Sequence, residues 1–141
     1  MKRRVALVLA VVAGMGPALA AEPQVTPENA LKQSCYFGSS SSSLTSDCYA
    51  ILRAVAAALE AEPQLRIEVQ GHADTSASAT VNVPLAQERA DAAREFLTHL
   101  GVAPERLAAK GYGAYEPLND NATLERRSWN RRVVFKRLDG S

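Results

Sequence analysis

Apolar and polar residues alternate through Leu65-Arg66-Ile67-Glu68-Val69-Gln70, the period of a half-buried strand. Upstream, Ile51, Leu52, Val55 and Leu59 recur at helical spacing. They predict a helix from Ser46 to Glu60, capped by Ser46 or Asp47 and stopped by Pro63. Downstream, Leu85, Ala92, Ala93, Phe96 and Leu100 predict a second helix, with Asn82 as its N-cap and Gly101 as its end. Cys35-Tyr36-Phe37 reads as a short first strand, and Arg106 to Tyr112 as a third, closed by Gly111-Tyr112-Gly113. Tyr115 to Thr123 is loop, and Leu124 to Ser128 is one helical turn. Alternation resumes from Asn130 to Leu138, with Arg131, Val133 and Phe135 on one face and Arg132, Val134 and Lys136 on the other. The order β-α-β-α-β-β predicts an α/β (α+β) two-layer sandwich: one mixed sheet with both helices on one face.

The N-terminus departs from this pattern. Lys2-Arg3-Arg4, an apolar run from Val5 to Ala13, and Ala18-Leu19-Ala20 read as a secretory signal peptide over residues 1–20, cleaved after Ala20. The run is short and broken by Gly14, Gly16 and Pro17, which disfavours an uncleaved span. Residues 21–32 then read as a linker, and 33–138 as one domain. Without Lys2, Arg3 and Arg4 the charge balance is 13 basic to 15 acidic residues, which gives no electrostatic case for nucleic acid.

Export bears on the two cysteines, Cys35 and Cys48. In an oxidising compartment a disulfide between them is expected, closing the serine-rich loop Ser39 to Ser43. Neither cysteine has a CxxC partner or a basic neighbour that would mark a reactive thiol. His72 and Asp74 alone fall short of a metal ligand set, so no metal or cofactor is expected, and His72 reads as a hydrogen-bonding residue at a strand end.

Asp74 lies just past the second strand, and Arg89 falls on the apolar stripe of its own helix. A guanidinium there needs partners, and Asp74 is the nearest candidate in the chain. The pair reads either as a structural ion pair or as a grip for a ligand bearing both signs of charge. Arg131, at the first position of the last strand, is a second arginine at a core edge.

Gly71-His72-Ala73-Asp74, Asn82-x-x-Leu85, Arg89-Ala90, Gly101-Val102, Arg106-Leu107, Gly111-Tyr112-Gly113, Pro117, Asn121-x-Thr123 and Asn130-Arg131-Arg132-Val133 fall in order and spacing. Over residues 33–138 the chain resembles the OmpA-like C-terminal domains, which include the peptidoglycan-associated lipoproteins. The resemblance implies a non-covalent peptidoglycan-binding module of the periplasm, associated with the wall or outer membrane, that holds the diaminopimelate of the stem peptide. On that resemblance Asp74, Asn82, Arg89 and Arg131 are the ligand-binding residues. Asn82 and Arg131 also have structural readings, as a helix cap and as a strand-start ion pair. Four positions depart from the family pattern: Ala73 for threonine, Ala77 for glycine, Pro84 in the first helical turn, and the serine run after Gly38 where aspartates are usual. Trp129 and Tyr112 read as packing residues.

Two further functions compete. A wall-cleaving enzyme lacks its parts, having no zinc ligand set, activated nucleophile or carboxylate pair. An interaction subunit of an envelope machine, a motor stator or secretion complex with wall binding secondary, would be supported by a membrane helix, and the sequence carries only the cleavable signal.

Overall fold

The computed structural model describes residues 25–74, 78–114 and 130–138. The signal peptide, Ala77, the turn Leu124 to Ser128 and Trp129 lie outside these residues.

The described elements run β1 (Cys35–Tyr36), α1 (Ser46–Ala61), β2 (Ile67–His72), α2 (Ala79–His99), β3 (Leu107–Gly113) and β4 (Arg132–Arg137). The strands form one mixed sheet in the order β1-β4-β2-β3. β4 pairs antiparallel with β1 and β2, and β2 pairs parallel with β3. The expected element order, mixed sheet and two-layer class are those observed. Leu52, Val55 and Leu59 of α1, with Ala90, Ala93 and Leu97 of α2, bury against Ile67, Val69, Leu107, Val133 and Phe135 of the sheet.

Several local expectations are corrected. Thr45, not Ser46 or Asp47, caps α1: its side chain accepts from the Cys48 N–H at 3.2 Å. The helix α2 begins before Asn82. Ser78 holds the N-cap position, and its carbonyl accepts from the Asn82 N–H at 2.8 Å. Asn82 is therefore the fourth helical residue and is buried. Pro84 is then in the second turn, not the first, and cannot donate to the carbonyl of Thr80, an exposed residue. Part of the expected linker is structured: Ala30–Lys32 is a 3-10 turn with Ala30 fully buried in the core.

The buried stripe of α2 is Asn82, Ala86, Arg89, Ala90, Ala93 and Leu97, while Leu100 is exposed. The reason lies in the sheet. Gly71 and Gly111 pair across β2 and β3, and a Cβ at Gly71 would stand 1.8 Å from the Ala86 carbonyl oxygen. One at Gly111 would stand 2.4 Å from the Gln87 nitrogen. The helix approaches so closely there that small residues, Ala86 and Ala90, face the two glycines. Phe96 turns instead to α1, where it meets Tyr49 edge-on at 4.8 Å between ring centroids. α2 ends as expected at Gly101, with φ 104°: the Gly101 N–H donates to Thr98 and the Val102 N–H to Leu97. Cys35 and Cys48 form the expected disulfide, joining β1 to the first turn of α1.

Candidate functional site

β2 ends, β4 begins and the chain leaves β1 at the same end of the sheet. The antiparallel register pairs Gly71 with Val133, and its continuation sets Arg131 opposite Ala73, one residue before Asp74. Arg131 Nη1 donates to Asp74 Oδ2 at 2.9 Å, and Arg131 Nε donates to the Phe37 carbonyl at 3.0 Å. Asp74 is almost wholly buried and Arg131 mostly so. Asp74 is therefore held by Arg131, and the expected direct Asp74–Arg89 bond is corrected.

Arg89 reaches the same place from α2. It is fully buried, and three main-chain carbonyls take its guanidinium. Nε donates to Ser41 at 2.7 Å, Nη1 to His72 at 2.9 Å and Nη2 to Gly38 at 3.1 Å. The Phe37 ring lies 5.3 Å from the guanidinium carbon. Burial pulls Arg89 down from the usual 12.5 to about 10; Arg131 adds to the fall and Asp74 opposes it. Arg89 is still charged at neutral pH. Asn82 lies two turns before Arg89 on the same buried face.

The four residues expected to hold a ligand thus lie on elements that meet at one end of the sheet, with Arg131 bonded to Asp74 and both arginines bonded to main-chain carbonyls of the segment from Phe37 to Ser41. Opposite charges buried side by side can grip a ligand that itself bears an ammonium and a carboxylate. The carbonyls of Phe37, Gly38 and Ser41 had no sequence signature, because a main-chain oxygen belongs to every residue.

His72 differs from its expected role. Its carbonyl accepts from Arg89, but its ring is 2% exposed and both ring nitrogens lack hydrogen-bond partners. The ring packs edge-on to Tyr112, whose hydroxyl donates to Glu68 at 2.7 Å. Burial first, and then the charge of Arg132, lower His72 from 6.5 to about 4. Among the described residues no three His, Cys, Asp or Glu side chains gather in a group able to hold a metal. No helix among them is long and apolar enough to cross a membrane.

The chain is similar to the peptidoglycan-binding protein ArfA of Mycobacterium tuberculosis, with 39% identity over 97 residues. That match covers 69% of this chain but only 30% of the relative, so the chain spans about a third of its length. Among solved structures, the peptidoglycan-associated lipoprotein from Burkholderia pseudomallei superposes with a TM-score of 0.74 at 30% identity, covering 79% of this chain and 95% of that one. The cell wall anchor of the T6SS from Pseudomonas aeruginosa superposes with a TM-score of 0.61 at 31% identity, covering 71% of this chain and 72% of that one. The sequence pattern of the OmpA family matches residues 36–131, well over half of the chain, and the chain belongs to the OmpA family.

Proposed function

We propose that the chain binds peptidoglycan non-covalently through the diaminopimelate of the stem peptide, and so anchors or organises the cell envelope. The observation that carries this reading is the meeting of Asp74, Arg131 and Arg89, buried and of both signs, at one end of the sheet. The similarity to relatives named for peptidoglycan supports it.

Diaminopimelate carries an ammonium and a carboxylate at fixed spacing. Asp74 accepts from the ammonium. A carboxylate has about four lone-pair sites, so a bond from Arg131 is compatible with that role. Arg131 fixes the carboxylate's direction, Arg89 forks onto the ligand carboxylate, and Asn82 adds a neutral polar contact. Each charge-assisted bond nets about 1.5–3 kcal/mol, so two or three reach a Kd between millimolar and micromolar. Modest affinity suffices because the wall repeats the ligand. The role is binding without catalysis, in the periplasm at the wall or outer membrane.

Co-sedimentation of the folded chain with purified sacculi tests the proposal. It should pellet with them, and free meso-diaminopimelate should release it. Lysine, which lacks the second carboxylate, should not. A protein that stays in the supernatant sinks the reading, and a clearing zone on a peptidoglycan zymogram would favour an enzyme instead. The likeness to a secretion-system wall anchor favours one second reading, a subunit of an envelope complex in which wall binding is secondary. Retention of residues 1–20 in the mature protein would move weight to it.

A further inference from the structure

We propose that the turn Gly38–Ser42 is a latch on Arg89 that a ligand must open; this rests on the peptidoglycan-binding reading. The three carbonyls on Arg89 fall into two kinds. His72 belongs to β2 and holds the arginine to the sheet. Gly38 and Ser41 belong to the loop, and while they occupy Nη2 and Nε the guanidinium is fully buried. A ligand carboxylate meets Arg89 by replacing these two oxygens, which present neutral versions of the same acceptor geometry.

The closed turn is strained. The Ser41 N–H donates to the Gly38 carbonyl at 3.1 Å, closing a four-residue turn whose third member, Ser40, has φ 56°. It is the one non-glycine residue with positive φ among the described residues. A turn with positive φ at that place ordinarily carries glycine or asparagine. Serine there tilts the equilibrium about fivefold toward opening. Gly38, Ser39 and Ser40 are exposed, so water can take their polar groups when the turn opens. The flanks are pinned. Phe37 is bonded to Arg131, and the Cys35–Cys48 disulfide brackets the segment with Cα atoms 5.0 Å apart. Motion is thereby confined to the loop, and apart from Arg89 the side-chain tie between its tip and α2 among the described residues is a long one, Ser42 Oγ to Glu88 Oε1 at 3.5 Å.

A substitution series at Ser40 tests the latch, because the side chain is exposed and each variant should fold. Ser40→Asn and Ser40→Gly suit the closed turn, and the Kd for meso-diaminopimelate should rise by up to about fivefold. Ser40→Val disfavours positive φ further, and its Kd should fall. Amide exchange at Ser41, whose N–H closes the turn, should quicken when meso-diaminopimelate saturates the protein. If wild type binds but the series is flat, or if ligand slows Ser41 exchange, the latch is overturned and the binding reading stands. If wild type binds neither sacculi nor meso-diaminopimelate, the binding reading fails and the latch falls with it.

Discussion

Arg89 has a structural load as well as a proposed ligand, and Arg89→Ala exposes it. The substitution removes three hydrogen bonds from a charged donor to the carbonyls of Gly38, Ser41 and His72. Bonds of this kind net about 1.5–3 kcal/mol each. Burial already opposes the charge, holding Arg89 near 10, so the low end of that range applies. Gly38 is exposed and Ser41 half-buried, so both carbonyls can turn to water. The His72 carbonyl sits at a buried position and cannot follow, leaving an unpaired acceptor at about 1–3 kcal/mol. The expected net loss is about 3 kcal/mol, or roughly 15 °C in Tm for a domain of this size. Urea denaturation followed by far-UV circular dichroism measures it. A loss below about 0.5 kcal/mol, at the level of an ordinary surface substitution, would refute the reasoning. Loss of sacculus binding by Arg89→Ala is therefore informative only below its own unfolding transition.

Other outcomes follow from the same contacts. Gly71→Ala places a methyl 1.8 Å from the Ala86 carbonyl and should cost about 3 kcal/mol or more, whereas Gly101→Ala meets open space and should cost about 1 kcal/mol for its positive φ alone; paired urea titrations would separate them. His72 takes up its proton near 4 when folded and near 6.5 when unfolded, so stability is complete above pH 6.5 and falls as pH drops toward 4, by up to about 3 kcal/mol; His72→Phe should flatten that slope in a pH series of urea midpoints. Reduction of Cys35–Cys48, which are 13 residues apart, should lower stability by about 3 kcal/mol, read as a shift in denaturation midpoint with and without reductant.

The sequence carried the strands and the end of α2 well. Period-two alternation at Ile67 to Gln70 and at Val133 to Phe135 survives because each strand has one face in the core. Gly101 reads as a helix end because a left-handed residue is needed there. The buried face of α2 was less legible. A helix over Gly71 and Gly111 buries alanines at the contact, and its Phe96 turns to α1, so size misleads. The partner of Asp74 was hidden for a topological reason. Chain proximity points to Arg89, but the order β1-β4-β2-β3 sets the start of β4 beside the end of β2 and delivers Arg131. The serine run kept its part silent altogether, since it acts on Arg89 through main-chain oxygens.

The central claim is that Asp74 serves a ligand beyond its pairing with Arg131, and Asp74→Asn tests it most directly. Asparagine keeps the shape and an acceptor for Arg131, and Arg131, its side chain 17% exposed, also keeps its bond to the Phe37 carbonyl. The variant should stay folded, with a stability loss of about 1–2 kcal/mol. Co-sedimentation with purified sacculi, at a temperature well below its Tm, should then show most of the binding gone. A folded Asp74→Asn that pellets with sacculi as the wild type does would contradict the account.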